Sequence, residues 1–354
     1  MAKPTNDYMI HLHEELKKTD ITEGTADNYI RNLYTLNNKK PFTTLVFLKH
    51  KNQIEKALQP YANSTKKTFL ASIVAVLSLV KDKRTYGKLY RDYQELMNQK
   101  VKEENDKPKN VKTQKQTDNW ISWDEIKEIK SNLHEKVEHL LKRKQTTNTE
   151  RKDIADYFIL SLYTDLPPRR NQDYQLCYIV KSYHKDLPSD KNYLAIDDDN
   201  FIFNAYKTSK KYGQQQVSFK DNDSFKEALK IYLKHHPLKP ARYGKTTMYP
   251  LLTKPDGSPL TSSNAITRIL NHIFKKKVGS SMLRHIYLTN KYGDKLDEMK
   301  EDSKAMGHSI QQQKEYIKNV DAKEEPVAKG EIGDDEGDRE DFTVNHNQRG
   351  LNPL

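Results

Sequence analysis

The spacing of apolar positions changes character twice along the chain. Up to about residue 102 they recur every three or four residues, as one face of an α-helix requires. This spacing predicts helices over residues 8–18, 25–36, 52–58, 65–80 and 88–97. The fourth is the most apolar and is expected at the centre of a helical unit spanning 1–102. Residues 103–119 lose the pattern, carry Pro108, and read as an exposed linker. A new unit opens at Ser122-Trp123-Asp124-Glu125, where Ser122 and Glu125 form a capping box ahead of a helix to about residue 142. A second helix is expected over 152–163. Alternation with period two then appears over 193–196, 201–206 and 215–219, predicting short strands of a small antiparallel sheet. Helical spacing returns over 224–233, 262–274, 280–290 and 295–306. The expected fold class is mainly α with a small antiparallel β-sheet: a helical unit, then an α+β unit over 120–320. Residues 321–354 are acidic and poor in large apolar side chains, and read as a disordered tail.

Length agrees with two domains, since 354 residues is about twice an ordinary domain. Charge changes the picture more. The net +12 is the sum of a body of +18 over residues 1–320 and −6 over 321–354. A body that basic attracts a polyanion, with nucleic acid the leading candidate and a merely well-solvated basic protein the alternative. Lys66, Lys67, Lys81, Lys83 and Arg84 flank the apolar fourth helix, either as solubilising ends or as the basic rim of a DNA groove. One cysteine, Cys177, excludes a disulfide framework and a multi-thiolate zinc site and suits a reducing compartment. An intracellular address, cytoplasm or nucleus, is expected, with no secretion. The longest largely apolar run, 69–80, is shorter than the roughly 20 residues a bilayer needs, so no membrane partner is expected. No Gly-rich phosphate loop or EF-hand pattern occurs, and His235-His236, with no carboxylate at ligand spacing, reads as a surface pair.

Four places carry candidate chemistry. Leu166-Pro167-Pro168-Arg169-Arg170-Asn171-Gln172-Asp173-Tyr174 puts two arginines after a Pro-Pro break, where a helix would start. Asn204-Ala205-Tyr206-Lys207-Thr208 leaves a strand for a Lys-rich turn that continues to Lys210 and Lys211. Leu283-Arg284-His285 sits among Met282, Ile286 and Leu288, where an unpaired charge would be costly to bury. Met306-Gly307-His308-Ser309 is followed eight residues after the histidine by Tyr316. Singly these have ordinary readings: a surface arginine, a solvated lysine, a helix end, one of 21 tyrosines.

Together, in order and spacing across roughly 160–320, they resemble the tyrosine recombinase (phage-integrase) family. The Pro-Pro-Arg-Arg variant is most similar to integrases of large DNA viruses and virophage- or transposon-like elements. The resemblance implies five catalytic residues. Arg170, three residues before Asp173, would be the first arginine, Arg169 fitting less well because Gln172 would then stand where the acid belongs. Lys207 would be the hairpin lysine, with Lys210 and Lys211 as fallbacks. Arg284 would be the second arginine, His308 the histidine of a Gly-His pair, and Tyr316 the nucleophile. One position departs: Ser281 stands where the family carries histidine or lysine, which puts one proton-transfer role in doubt.

These residue types suit phosphodiester exchange. Two always-charged guanidiniums can clamp the charge that develops on the non-bridging oxygens. A phenol of pKa near 10 needs a base or a cationic field to become a nucleophile, and an ammonium can protonate the departing 5′-oxygen. The resemblance further implies a site-specific recombinase or integrase working through a 3′-phosphotyrosine, with no metal, ATP or other cofactor. Its partners would be double-stranded DNA and itself, as a tetramer on two sites and a monomer or dimer when free. Two rival readings stay open: a type IB topoisomerase-like nicking and resealing enzyme, and a catalytically weak DNA-binding relative.

Overall fold

The computed structural model describes residues 6–106, 111–238, 248–260, 262 and 264–306. It divides into two compact units between Val111 and Lys112.

The first unit is all helical among its described residues: α1 (Asp7–Lys17), α2 (Glu23–Leu36), α3 (Lys51–Leu58), α4 (Asn63–Leu79) and α5 (Lys83–Asn105), with a short 3-10 turn at Val46–Lys49. Side chains of Asn6, Thr22 and Asp82 accept from the first free amides of α1, α2 and α5 and fix where those helices begin. α4 is the central element. Phe69 to Leu77 are buried without interruption, so the helix is covered on all sides, packing on α5, α2 and α1. Its one buried hydroxyl, Ser72, accepts from Asn32 and donates to the Thr68 carbonyl, while Tyr93 donates to the Leu48 carbonyl. α5 is far longer than the ten residues its apolar spacing predicts. It starts at the Asp82 cap and runs into the expected linker, because Gln, Lys and Glu favour helix even in solvent and no proline intervenes before Pro108.

The second unit begins with α6 (Gln114–Asn119), again inside the expected linker, where Thr113 and Gln116 form an unforeseen capping box. Then come α7 (Trp123–Val137), a 3-10 turn at Glu138–Lys142, α8 (Asn148–Thr164) and α9 (Asn171–Gln175). Strands β1 (Cys177–Val180), β2 (Asn192–Ala195) and β3 (Asn200–Phe203) follow, then α10 (Ser209–Tyr212), β4 (Gln215–Ser218), α11 (Asp223–Lys234) and β5 (Tyr249–Pro250). The described part ends with α12 (Ala265–Phe274) and α13 (Ser280–Ala305). α8 is the hub. Phe158 stacks on Tyr232 of α11 at 4.1 Å between ring centres and tilts against Phe225, while Tyr163 meets Tyr174 of α9 edge-on.

Three expectations are corrected. The sheet is mixed rather than antiparallel: its order is β4-β3-β2-β1-β5, and β1 pairs parallel with β2. β1 gave no alternation signal because Cys177, Ile179 and Val180 are buried and Tyr178 partly so, the continuous apolar pattern of a strand covered on both faces. The helices expected over 280–290 and 295–306 are one, since Gly293 weakens a helix without ending it. His235 and His236 are buried, not surface. The ring nitrogens of His235 and His236 bond the Leu140 and Leu251 carbonyls, and His236 Nδ1 accepts from the Leu238 amide. Among the described residues no helix is long and apolar enough to cross a membrane.

Two outcomes are expected. Phe158→Ala, at a fully buried site, should cost about 3–5 kcal/mol in denaturant unfolding of the second unit, whereas a change below 1 kcal/mol would mean the α8–α11 stack is not central. Backbone hydrogen bonds from Ser122 and Thr147 hold the capping carboxylates of Glu125 and Glu150 below the usual glutamate pKa. Their stabilisation is therefore complete above about pH 4.5 and fades as pH falls through the lowered values. Glu125→Gln should flatten that acid limb in unfolding experiments.

Candidate functional site

α9 begins where Pro167 and Pro168 deny backbone donors, so α8 stops at Thr164 and the chain turns with Arg170 as the N-cap residue of α9. One turn in, the side chain of Asp173 is 2% exposed and pairs directly with Arg169, whose Nε donates to Oδ2 at 3.0 Å. The spacing to this acid had served only to single out Arg170 as the first arginine. Arg170 does lie close, since its field and its backbone amide both favour the carboxylate, but the direct side-chain partner is Arg169. Burial outweighs these cations and keeps the Asp173 pKa above the usual aspartate value.

Arg169 reaches further. Its Nη1 donates to Gln215 Oε1 at 2.9 Å, and its guanidinium lies 3.8 Å from the Phe203 ring centre and 5.1 Å from that of Tyr206. Phe203 ends β3, Gln215 begins β4, and Tyr206 is beside Lys207, so one cation touches both strand ends that flank the connection and the residue before the candidate lysine. That connection, residues 204–214, is longer than a tight hairpin turn and contains the helical turn α10. Lys207, Lys210 and Lys211 are all exposed on it. Asn192, fully buried at the start of β2, makes a second tie. Its amide donates to the Asp173 and Ala205 carbonyls, and its oxygen accepts from the Asn204 and Ala205 amides, at 2.8–2.9 Å.

Arg284 lies on α13 at the edge of a buried stripe of Met282, Leu283 and Ile286, with Leu288 about half exposed. The arginine is thus half-buried on an amphipathic helix rather than sunk in an apolar one. Tyr163, at the end of α8, relates it to α9. This phenol is wholly buried and its pKa is driven well above 10, first by burial and then by Tyr174 and Asp173, with Arg284 pulling the other way. Tyr163 therefore lies within electrostatic range of both Asp173 and Arg284. Its hydroxyl donates to Asn171 Oδ1, and Asn171 donates on to Thr267 of α12. Ser281 is exposed one helical turn before Arg284.

The Lys207 connection is thus tied to α9 through Arg169 and Asn192, and Arg284 lies within electrostatic range of Tyr163, whose hydroxyl bonds Asn171 at the start of α9. His308 and Tyr316 lie outside the described residues, as does the 321–354 tail. In the first unit, Lys66 and Lys67 occupy the start of α4, whereas Lys83 and Arg84 open α5 beyond its far end, about 25 Å along the axis of a 17-residue helix. They do not form one cluster, and Lys83 donates to the Ser78 carbonyl. Among the described residues no group of three or more His, Cys, Asp or Glu side chains could hold a metal ion. Two contacts escaped sequence reasoning, the grip of Arg169, which was weighed only as a catalytic arginine, and the bonds of Asn192. Arg169 had a signal in the acid four positions on; Asn192, a lone polar residue opening an apolar strand, had none.

The chain matches no protein-family model, no curated protein and no solved structure.

Asn192→Ala would leave two backbone amides and two carbonyls short of a partner, at about 1–3 kcal/mol for each group left unsatisfied. A loss of at least about 3 kcal/mol in urea unfolding is expected; a loss near that of an exposed Asn→Ala change would contradict the role given to this side chain.

Proposed function

We propose that this protein is a site-specific DNA strand-transfer enzyme of the tyrosine recombinase kind, integrating or excising a DNA element. The observation that supports the reading is that Arg169 and Asn192 tie the Lys207 connection to the Arg170 end of α9, while Tyr163, bonded to Asn171 at that same helix start, lies within electrostatic range of Arg284. The strongly basic body supplies the affinity a polyanionic substrate requires.

In this reading Tyr316 attacks a phosphorus of duplex DNA. A bond forms between the phenolic oxygen and phosphorus, and the bond to the 5′-oxygen breaks, that oxygen keeping the electron pair. The phenol releases its proton to solvent, and the Lys207 ammonium gives one to the 5′-oxygen before being recharged from water. Arg170 and Arg284 neutralise the non-bridging oxygens at the crowded transition state, His308 hydrogen-bonds the phosphate, and the reverse attack by another 5′-hydroxyl reseals the strand. Exchange of one phosphoester for another conserves bond energy, so the chemistry consumes no nucleotide.

The test is incubation of the full chain with nicked duplexes drawn by binding selection from a randomised pool, where loss of a short fragment traps the intermediate. The wild type should give a denaturant-resistant protein–DNA adduct and Tyr316→Phe none. Adduct in both, or in neither, overturns the reading, the second outcome favouring a DNA-binding relative. Relaxation of any supercoiled plasmid without site preference would instead favour a topoisomerase. Binding should weaken steeply with salt, with a log–log slope of about −0.9 per phosphate contact.

A further inference from the structure

We propose that Arg169 is a positioning residue: it holds the 204–214 connection, and with it the Lys207 ammonium, against the end of α9 that carries Arg170. The role assigned to Lys207 rests on the recombinase reading; the grip itself does not. Arg169 uses its three recognition surfaces at once. Nε meets the Asp173 carboxylate, Nη1 meets Gln215, and the flat face covers Phe203 and Tyr206. Both ends of the connection, where β3 stops and β4 starts, are thereby bound to one planar cation that is itself bound to α9. The connection is also closed on itself, since the Tyr206 hydroxyl donates to the Gly213 carbonyl at 2.7 Å, and Gly213 makes the turn at φ +64°. Lys207 follows Tyr206 directly and is exposed at the point where that internal brace and the Arg169 contact meet.

The geometry separates Arg169 from the phosphate-binding role. Its side chain is 15% exposed and is engaged through Nε, Nη1 and the ring faces, so it acts through what it holds. Lysine could keep the charge beside Asp173 but has neither the fork for Gln215 nor a planar face for the rings. Losing the grip should harm the delivery of a proton to the 5′-oxygen, which tolerates little displacement, and leave DNA affinity nearly unchanged.

The test compares two nicked substrates of one sequence, one with the ordinary 5′-bridging oxygen and one with sulfur there. A thiolate leaves with the electron pair of its bond to phosphorus and needs no proton. Because removing Arg169 alone strands a buried carboxylate, the main variant is Arg169→Met with Asp173→Asn, and Arg169→Lys is the second. With oxygen, single-turnover adduct formation by the double variant should slow by about 10–100-fold, part of the roughly 10²–10⁴-fold that a general acid supplies. With sulfur it should return to within about threefold of wild type, and Lys207→Ala should behave alike. Arg169→Lys should fall between wild type and the double variant on oxygen.

Equal slowing on both substrates, or none on either, overturns the proposal. A readout independent of catalysis accompanies it: amides of residues 204–214 should exchange hydrogen faster in the double variant while α8 amides keep their protection, and unchanged exchange also overturns the proposal. If the wild type forms adduct with neither substrate, the recombinase reading fails, and exchange still decides whether Arg169 holds the connection.

Discussion

A carboxylate taken out of water has to be matched by a cation and by donors, and the buried Asp173 sets that requirement for the whole candidate site. Arg169 meets it, but a guanidinium presents five donors and two faces, and the surplus is spent on Gln215, Phe203 and Tyr206. The demand of one buried charge thus becomes a joint between a helix end and a strand connection. Asn192 repeats the joint in backbone terms, tying the Asp173 carbonyl to the Asn204–Ala205 turn. Removing either side chain leaves buried polar groups unanswered, so the surrounding elements cannot drift independently.

In the proposed function such a joint would matter because exchange of a phosphodiester is chiefly a problem of position. The groups it uses, guanidinium, ammonium and phenol, are common on any basic surface, and their power comes from being held before the substrate arrives. Exposed Lys207 and half-buried Arg170 and Arg284 lie near buried residues: Tyr163, Tyr174, Asp173 and Asn192. The Tyr163 phenol, its pKa pushed up by burial, donates to Asn171 and so helps fix the start of α9.

Much of this was legible in the amino-acid order, and the gaps have physical causes. The helices of the first unit, the Ser122 capping box and three strands followed from period and cap chemistry, which are local. The long α5 was underestimated because a solvent-facing helix of Lys, Glu and Gln needs no apolar stripe. β1 and the parallel pairing were hidden because a strand buried on both faces looks like any apolar run. His235 and His236 were misplaced because burial of a histidine depends on carbonyls more than ninety residues and about fifteen residues away in sequence. In the site itself, the three-residue spacing to Asp173 pointed to Arg170 as the first arginine but said nothing of which arginine the acid bonds; packing gives that contact to Arg169. Asn192 could not have been singled out: its meaning exists only where three distant segments meet.

The central claim is that Arg170 and Arg284 neutralise one and the same scissile phosphate. Replacing a non-bridging oxygen of that phosphate by a methyl group removes the charge they are there to meet. Single-turnover adduct formation by the wild type, Arg170→Ala and Arg284→Ala should be compared on the charged and the methylated duplex. Each variant is predicted to lose about 10²–10³-fold on the charged phosphate and much less on the neutral one. The same loss on both substrates, for either arginine, would contradict the account.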